Sequence, residues 1–552
     1  YTGTQPLLSH SDNAFVSTNT AITNALLNVA DDPARLSLID SVRTGGFGDI
    51  IHSEPAVVVY NTKTIIYVGA NDGLLHAIDD DTGQELWSFI PPDQLGRLWR
   101  LNDADHDYFV DGSPTVYYGA SQKILVVGSR RGGHSYTALD ITDYSAPRYL
   151  YSIGPTALGP TPTNFEQLGQ SWARPDKITV ATGSTVTTTA GCGLNVAVST
   201  ADVFLFGGGY DINQDLPTPL ANDTEGRGVF AVNMANGSVL SGLKFTPATH
   251  ASLGLTHSVV DVSGFDHDGD GIASRIYFGN LAGGVFAMRD DQPQTFNVCG
   301  QNVTRSIVDG TWTGMKLFQA PDSNGRKLKV LYSPDAVAEL YPPGAGEYIY
   351  FGTGDRENPD DTVVVNRFYA VKNDWTASSP LTETDLVDVT DNMIQLGTAS
   401  QKQAAKASLD AGKGWYIRLE NAGEKVVSSP RVYGGVVYFT TYTPTGTSGI
   451  DPNDPCAAST VRGVGRLYAL NYKTGAAVHD FNSTTEQDGD NNAVTLGKQD
   501  RSLSVGTAIP SAPVIAILGG GARLFIGVEG GIVSLPTTAT QEMYRYYWNQ
   551  IF

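Results

Sequence analysis

The sequence predicts an all-β protein: a β-propeller of four-stranded antiparallel blades, with a short N-terminal helical lead-in and loop excursions. Three observations predict it. The first is the stretch from Ser53 to Phe89, where the short apolar runs AVVVY, TIIYVGA, LLHAID and QELWSF follow one another. Asn-Asp-Gly and Asp-Thr-Gly separate the last three. Gly in such pairs supplies the positive φ of a tight turn, and β-branched and aromatic runs bounded by turns read as strands. The second is that a first-strand signature, Ser or Arg shortly before Pro, returns at Ser53, Ser113, Arg174, Ser333, Ser429 and Ser511. Thr256-His257-Ser258 holds the equivalent place without Pro. The third is that each signature is followed by a second strand ending in Gly or Thr (IIYVGA, ILVVGS, VFLFGGG, RIYFGN, YIYFGTG, VVYFTT, RLFIGV) and then by a third strand. That makes about seven units of roughly sixty to ninety residues, the pattern of sheets repeated radially. Pro fits before a strand, where no ladder donor is needed. Ser and Gly suit a crowded propeller centre. A pair of β-sandwiches would also supply strands, but it gives no reason for one motif to recur.

Composition narrows the function classes. Gly at 61 residues suits a turn-rich β chain, and 41% hydrophobic content is enough for cores. The net charge is -21 with no basic cluster, which argues against nucleic-acid binding and against a polybasic membrane patch. It is compatible with divalent cations. No run approaches the roughly 20 apolar residues of a membrane span. The chain opens on YTGTQPLLSH, which reads as the middle of something longer. Of the three Cys, Cys192, Cys299 and Cys456, two can form a disulfide and leave one thiol, and the sequence does not choose the pair. No CxxC or Cys/His cluster points to zinc.

Residues 1–42 lack the repeat and read as a lead-in from a missing N-terminal region; Thr18 to Val42 suggests one or two short helices. The propeller domain is placed at 43–552. Several loops carry alternating acids. Asp103, Asp105, Asp107 and Asp111 lack a turn glycine and read as a solvated loop. Asp211, Asn213 and Asp215 have cation-loop spacing, but Leu216 stands where the glycine belongs. Asp488, Asp490 and Asn492 alternate too. Asp355, Arg356 and Glu357 follow a Gly-Thr-Gly turn; local pairing among them is one reading, and a plain polar surface loop is the preferred one. Asp391 to Lys406 holds helix formers and reads as an excursion on the rim. The tail QEMYRYYWNQIF is aromatic enough to pair with a propeller edge.

The sharpest local signal is DHDGDGIAS, residues 266–274. Asp266, Asp268 and Asp270 occupy positions one, three and five of an EF-hand-like loop, with Gly271 at the sharp turn in position six. Ile272 would offer its backbone carbonyl, and Ser274 its hydroxyl or a bound water. Three carboxylates this close repel one another unless a cation neutralises them. Oxygen ligands in a flexible loop suit Ca²⁺ better than Mg²⁺. Position twelve is Tyr277, inside a strand, so the bidentate Glu of an EF-hand is missing. The expected metal site is therefore Asp266, Asp268, Asp270, Ile272 and Ser274 in a β-hairpin. The plainer alternative is an acidic turn with no ion.

These phrases together resemble one family, the C-terminal domain of the PilY/PilC type IV pilus biogenesis factors and tip-associated adhesins. The match is carried by GDIIHSEPAVV, YVGANDGLLHAIDDDTGQELWSFIPP, YFVDGSP, FGGGYD, DGDGIASRIYFGN, YFGTGDRENP, GWYIRLENAGEKVVSSP and GRLYALNYKTG, in the family's order from Gly48 onward. The resemblance implies a modified seven-bladed β-propeller whose calcium loop maps onto Asp266, Asp268 and Asp270. The sequence departs from the family at Ser274, where an acidic residue is usual, which implies weaker binding. The resemblance further implies pilus assembly, calcium-dependent opposition to retraction, twitching motility and surface attachment. Minor pilins at the pilus tip and a host or surface receptor are the implied partners. The implied location is the cell surface, at the pilus tip or outer membrane, reached through the periplasm.

Two alternatives stand beside this reading. NDGLLHAIDDDTGQELW echoes the Trp-containing blade motif of quinoprotein dehydrogenases, which also use Ca²⁺. Here no two Cys are adjacent and the Trp motif is well formed only once, so Trp87 reads as blade-closing packing. The other alternative is an ion-free propeller scaffold. No nucleophile and base can be placed together. His52, His76 and His257 are expected to pack within strands, and the chain is not expected to be an enzyme.

Overall fold

The computed structural model describes residues 7–9, 13–103, 106–119, 121–155, 164–189, 191–216, 219, 221–338, 346–445, 463–518 and 521–537. The four runs of the opening stretch become the strands Ala56–Val59, Thr64–Gly69, Leu75–Asp79 and Glu85–Phe89, paired antiparallel in chain order. Gly73 and Gly83 close the last two hairpins at φ of 90° and 68°, a region Gly enters without the Cβ penalty.

The meander then repeats. Among the described residues, seven sheets of three or more strands follow in chain order. The seventh holds Val514–Leu518, Gly521–Val528 and Gly531–Pro536. Each signature Pro stands directly before a first strand, as with Pro114 before Thr115–Tyr118 and Pro334 before Asp335–Ala338. The protein is thus all-β, with the four-stranded blades of a β-propeller.

Apolar clusters join consecutive sheets in pairs, and alternation along single strands produces this. In the fourth sheet, Ile276 and Phe278 pack with Val203 and Leu205 of the third. Tyr277, pointing the other way, packs with Ile349 and Phe351 of the fifth. A strand covered on both faces needs a continuous apolar run, and Arg275–Gly279 and Glu347–Gly352 are buried throughout. In the first, third and fifth sheets, the glycine ending the second strand lets the next sheet come close. A Cβ on Gly69 would lie 2.3 Å from Val110 O, on Gly207 2.3 Å from Val259 O, and on Gly352 2.4 Å from Val426 Cγ2. The signature Ser serves the same crowded region: Ser53 Oγ accepts from Gly69 N at 3.0 Å, and Ser511 Oγ from Gly527 N at 2.8 Å.

The lead-in forms one helix, Asp32–Thr44, capped by Asp31, whose side chain accepts from Ala34 N at 2.9 Å. Residues 17–30 form turns instead of a second helix, because Asn19 bonds both Ala14 O and Ala21 N, a local competitor of the helix ladder. Phe15, Ile22, Leu27, Leu38 and Ile39 pack onto Leu74, Ile90 and Leu98, and Leu7–Ser9 adds in parallel to Glu85–Phe89. The rim excursion is helical at Met393–Leu396 and Ala399–Ala411, the latter opened by a Thr398/Gln401 capping box.

The expectation of a plain polar surface loop at Asp355, Arg356 and Glu357 is corrected: each side chain reaches a segment distant in sequence. Glu357 accepts from Arg130 (3.1 Å) and Arg131 (2.7 Å), Asp355 from Lys329 (2.8 Å), and Arg356 reaches Tyr332 OH at 3.4 Å. Arg131 also takes Asp215, and Trp172, stacked on Tyr210 at 4.1 Å, lies against both guanidinium groups. Loops of the second, third and fifth sheets meet here, which a linear reading of 552 residues cannot show. The tail 541–552 and the loop holding Cys456 lie outside the described residues.

Candidate metal centre

The DHDGDGIAS segment is the turn between strands Val262–Phe265 and Arg275–Gly279. Two glycines fold it back: Gly269 and Gly271 have φ of 82° and 91°. Nothing lies within 4 Å of a Cβ built on Gly271, so backbone conformation, not space, requires glycine there. Asp266 organises the turn: its carboxylate accepts from Gly269 N (2.7 Å), Asp270 N (3.2 Å) and Gly271 N (2.8 Å). Asp270 Oδ1 accepts from Ile272 N at 2.8 Å.

One carboxylate oxygen each from Asp266, Asp268 and Asp270 lies within 4.8 Å of the others. Ligands on opposite sides of a Ca²⁺ stand up to about 5 Å apart, given Ca–O distances of about 2.3–2.6 Å. The donor set therefore fits a hard, oxygen-seeking cation. A carboxylate offers about four lone-pair directions, so the Asp266 turn bonds leave capacity for an ion. Burial, together with the charges of Asp268 and Asp266, raises the Asp270 pKa, while the Ile272 amide opposes the shift. Among the described residues this is the one place where three His, Cys, Asp or Glu side chains bring ligand atoms together.

Ser274 is placed differently from the three acids. It is 3% exposed at the foot of the hairpin, where its N donates to Phe265 O (2.9 Å) and its O accepts from Asp290 N (3.1 Å). Its hydroxyl is 3.5 Å from Arg275 Nη1. A buried charge network that the sequence reading missed fixes this foot. Arg275 pairs with Glu347 at 2.6 Å and Asp291 at 2.5 Å, Tyr277 OH donates to Glu347, and His267 Nδ1 lies 3.0 Å from Glu347 Oε1. Burial would raise the Glu347 pKa; the His267 hydrogen bond and the Arg275 charge outweigh it and hold the carboxyl below its ordinary value. Arg275 in an otherwise apolar strand was the available signal.

The other acidic loops are engaged with protein donors. Asp107 pairs with Arg97 (2.9 Å) and Arg100 (3.0 Å), Asp111 faces His52 (2.7 Å), Asp215 takes Arg131 (2.8 Å), and Asp488 takes Lys402 (2.7 Å). Asp105 lies outside the described residues. Trp87 closes its blade, 1% exposed with Nε1 donating to Tyr144 O at 2.7 Å. His76 alone of the three histidines lies in a strand, Leu75–Asp79, and it joins a charge network rather than simply packing; His52 and His257 lie in bends. Cys192 and Cys299 form a disulfide, with Cα atoms 5.7 Å apart.

No protein-family model matches the chain. Curated relatives do. A "Type IV pilus biogenesis factor PilY1 homolog" of Xylella fastidiosa is 26% identical over 444 residues, 75% of this chain and 26% of that protein. The "Type IV pilus biogenesis factor PilY1" of Pseudomonas aeruginosa strain PAO1 is 27% identical over 487 residues, 76% of this chain and 38% of that protein. A second Xylella fastidiosa homolog is 25% identical over 553 residues, 92% of this chain and 39% of that protein. The chain thus spans between 26% and 39% of the length of these relatives. In fold, it matches the crystal structure of the Pseudomonas aeruginosa PilY1 C-terminal domain with a TM-score of 0.56, covering 95% of this chain and 99% of that one at 18% identity. In sequence and in fold, the chain is a relative of the type IV pilus biogenesis factor PilY1, and what it resembles is that protein's C-terminal domain.

Proposed function

We propose that this chain is the propeller part of a type IV pilus biogenesis factor and that Asp266, Asp268 and Asp270, with the Ile272 carbonyl, hold a Ca²⁺. Ser274 would join through its hydroxyl or a water. The observation that carries the reading is the convergence of three carboxylates in one hairpin of a chain related to PilY1. A bound cation cancels the mutual repulsion of the acids and ties together the two strands that the loop connects. The chain acts at the cell surface, on minor pilins at the pilus tip, in the balance of pilus extension and retraction, in twitching and in attachment to a host or surface receptor. It does so as a binding protein, without catalysis. Among the described residues, no helix is long and apolar enough to cross a membrane.

Calorimetric titration with Ca²⁺ tests the site. The parent is expected to bind, and Asp268→Ala and Asp270→Ala to abolish binding while circular dichroism stays unchanged. Equal binding by parent and variants would remove the assignment. In cells, the same variants are expected to alter pilus number and twitching; unchanged piliation would confine the ion to a structural role.

A further inference from the structure

Two β-hairpins project from neighbouring sheets beside the acidic loop. One is the distal part of Asp176–Thr188 and Leu194–Gly207, whose inner ends belong to the third sheet. The other, Gln292–Val298 with Gln301–Ile307, is a two-stranded insertion before the last strand of the fourth sheet. Cys192 and Cys299 occupy the two tips, each exposed, each at positive φ (60° and 50°) and each followed by Gly. The disulfide therefore joins the hairpins tip to tip, with 107 residues of sequence between its ends. Neither tip contributes to an apolar cluster of the propeller, so the bond holds an arm in place rather than a core together.

The roots of the two hairpins end on adjacent residues at the foot of the acidic loop, the first on Ala273 and the second on Ser274 and Arg275. Ala273 N donates to Thr179 O at 2.8 Å, in the root of the first hairpin. Ser274 O accepts from Asp290 N at 3.1 Å, and Arg275 pairs with Asp291 at 2.5 Å, both at the root of the second. Asp290 is fully buried and accepts from Asp309 N (3.2 Å) and Gly310 N (2.9 Å) on the return limb of that hairpin. Loop, first hairpin, disulfide and second hairpin thus form one closed circuit. Nine to thirteen residues of hairpin, at about 3.3 Å each, put the disulfide at most roughly 30–43 Å along the strands from the loop.

We propose that this circuit makes the Cys192–Cys299 disulfide a regulator of the acidic loop: the oxidised arm holds Ala273 and Ser274 between its roots and so presets the loop for its cation. The proposal rests on the Ca²⁺ reading above. Reduction by a dithiol moves two electrons and two protons to the two sulfurs, giving two thiols and leaving the dithiol as its own disulfide. The hairpins then keep only the contact near their roots, where Gly310 lies against Ala181 and Thr182, and the loop loses its tip-to-tip brace. Linkage makes the effect reciprocal: if the disulfide favours the cation, the cation favours the disulfide.

The test uses the whole chain in three forms: parent, dithiothreitol-reduced parent, and Cys192→Ser/Cys299→Ser. Hydrogen exchange without Ca²⁺ is expected to be faster at the amides of Ala273 and Ser274 in both disulfide-free forms, while amides of Arg275–Gly279 keep the parent rate. Calcium titration is expected to show affinity at least about fivefold weaker in both, and millimolar Ca²⁺ is expected to slow dithiothreitol reduction of the parent. Unchanged exchange at Ala273 and Ser274 would overturn the brace. Equal Ca²⁺ affinity in all three forms would overturn the regulation while leaving the site intact. A parent that binds no Ca²⁺ but shows the exchange difference would overturn the cation reading and the regulation together, and leave only the mechanical link.

Discussion

His76 is 1% exposed, yet both of its ring nitrogens face carboxylates: Nδ1 is 2.6 Å from Glu85 Oε1 and Nε2 3.1 Å from Asp72 Oδ2. Burial pulls its pKa down, the hydrogen bonds and charges of Asp72 and Glu85 pull it up, and the balance stands at about 9. A folded-state value above the ordinary 6.5 stabilises the fold fully below that pH, and the contribution is lost as pH rises through about 9. At about 1.4 kcal/mol per pKa unit this amounts to about 3 kcal/mol. Urea denaturation should show the parent losing about that much between pH 6.5 and pH values above 9, and His76→Gln losing much less. Gly207 is a second residue-scale case. Its added Cβ would meet the backbone oxygen of Val259 at 2.3 Å, which no rotamer change relieves. Gly207→Ala should cost about 1–3 kcal/mol in the same measurement. Gly46→Ala, with nothing within 4 Å, should cost far less.

At the scale of the element, the acidic hairpin loop was legible because its requirements are local. Alternating acids and a glycine at the turn are written within residues 266–274. What holds the loop against the rest of the molecule was not legible: His267 reaches Glu347, and Ala273 reaches Thr179. The raised pKa of Asp270 gives the loop a pH dependence. Without a cation, a carboxyl whose folded pKa is raised adds stability at low pH that is lost as pH rises through that pKa. A cation competes with that proton and reverses the loss. Ca²⁺ affinity measured by titration should therefore fall as pH is lowered from neutral toward the carboxylate range, with proton uptake when the metal is removed. A pH-independent affinity would count against Asp270 as a ligand. The helical excursion Ala399–Ala411 was legible from its helix formers, whereas residues 17–30 were not, because side-chain bonds such as those of Asn19 decide for turns.

Across the whole molecule, successive sheets share apolar clusters, and charged side chains tie loops far apart in sequence. Arg131 is 18% exposed and Glu357 12%, so their pair is largely withdrawn from water. Removing Arg131 leaves Glu357 with Arg130 alone at 3.1 Å, so Arg131→Ala loses charge-assisted hydrogen bonds without stranding the carboxylate and should cost about 1.5–3 kcal/mol. A double-mutant cycle with Glu357→Gln, read by chemical denaturation, should return a coupling that separates this pair from the neighbouring Asp215 contact. The sequence by itself determined the blades and the acidic turn. Strand periodicity, a proline before a strand, a glycine at a close approach and a carboxylate at an alternate loop position all act over a few bonds, and repetition made them visible. Only the tertiary structure decided which Cys pair, where Glu357 finds its cations, and that the roots of two hairpins grip the foot of the acidic loop. Those are contacts between segments tens to hundreds of residues apart, and their partners are chosen by how the sheets stack, which no local pattern encodes.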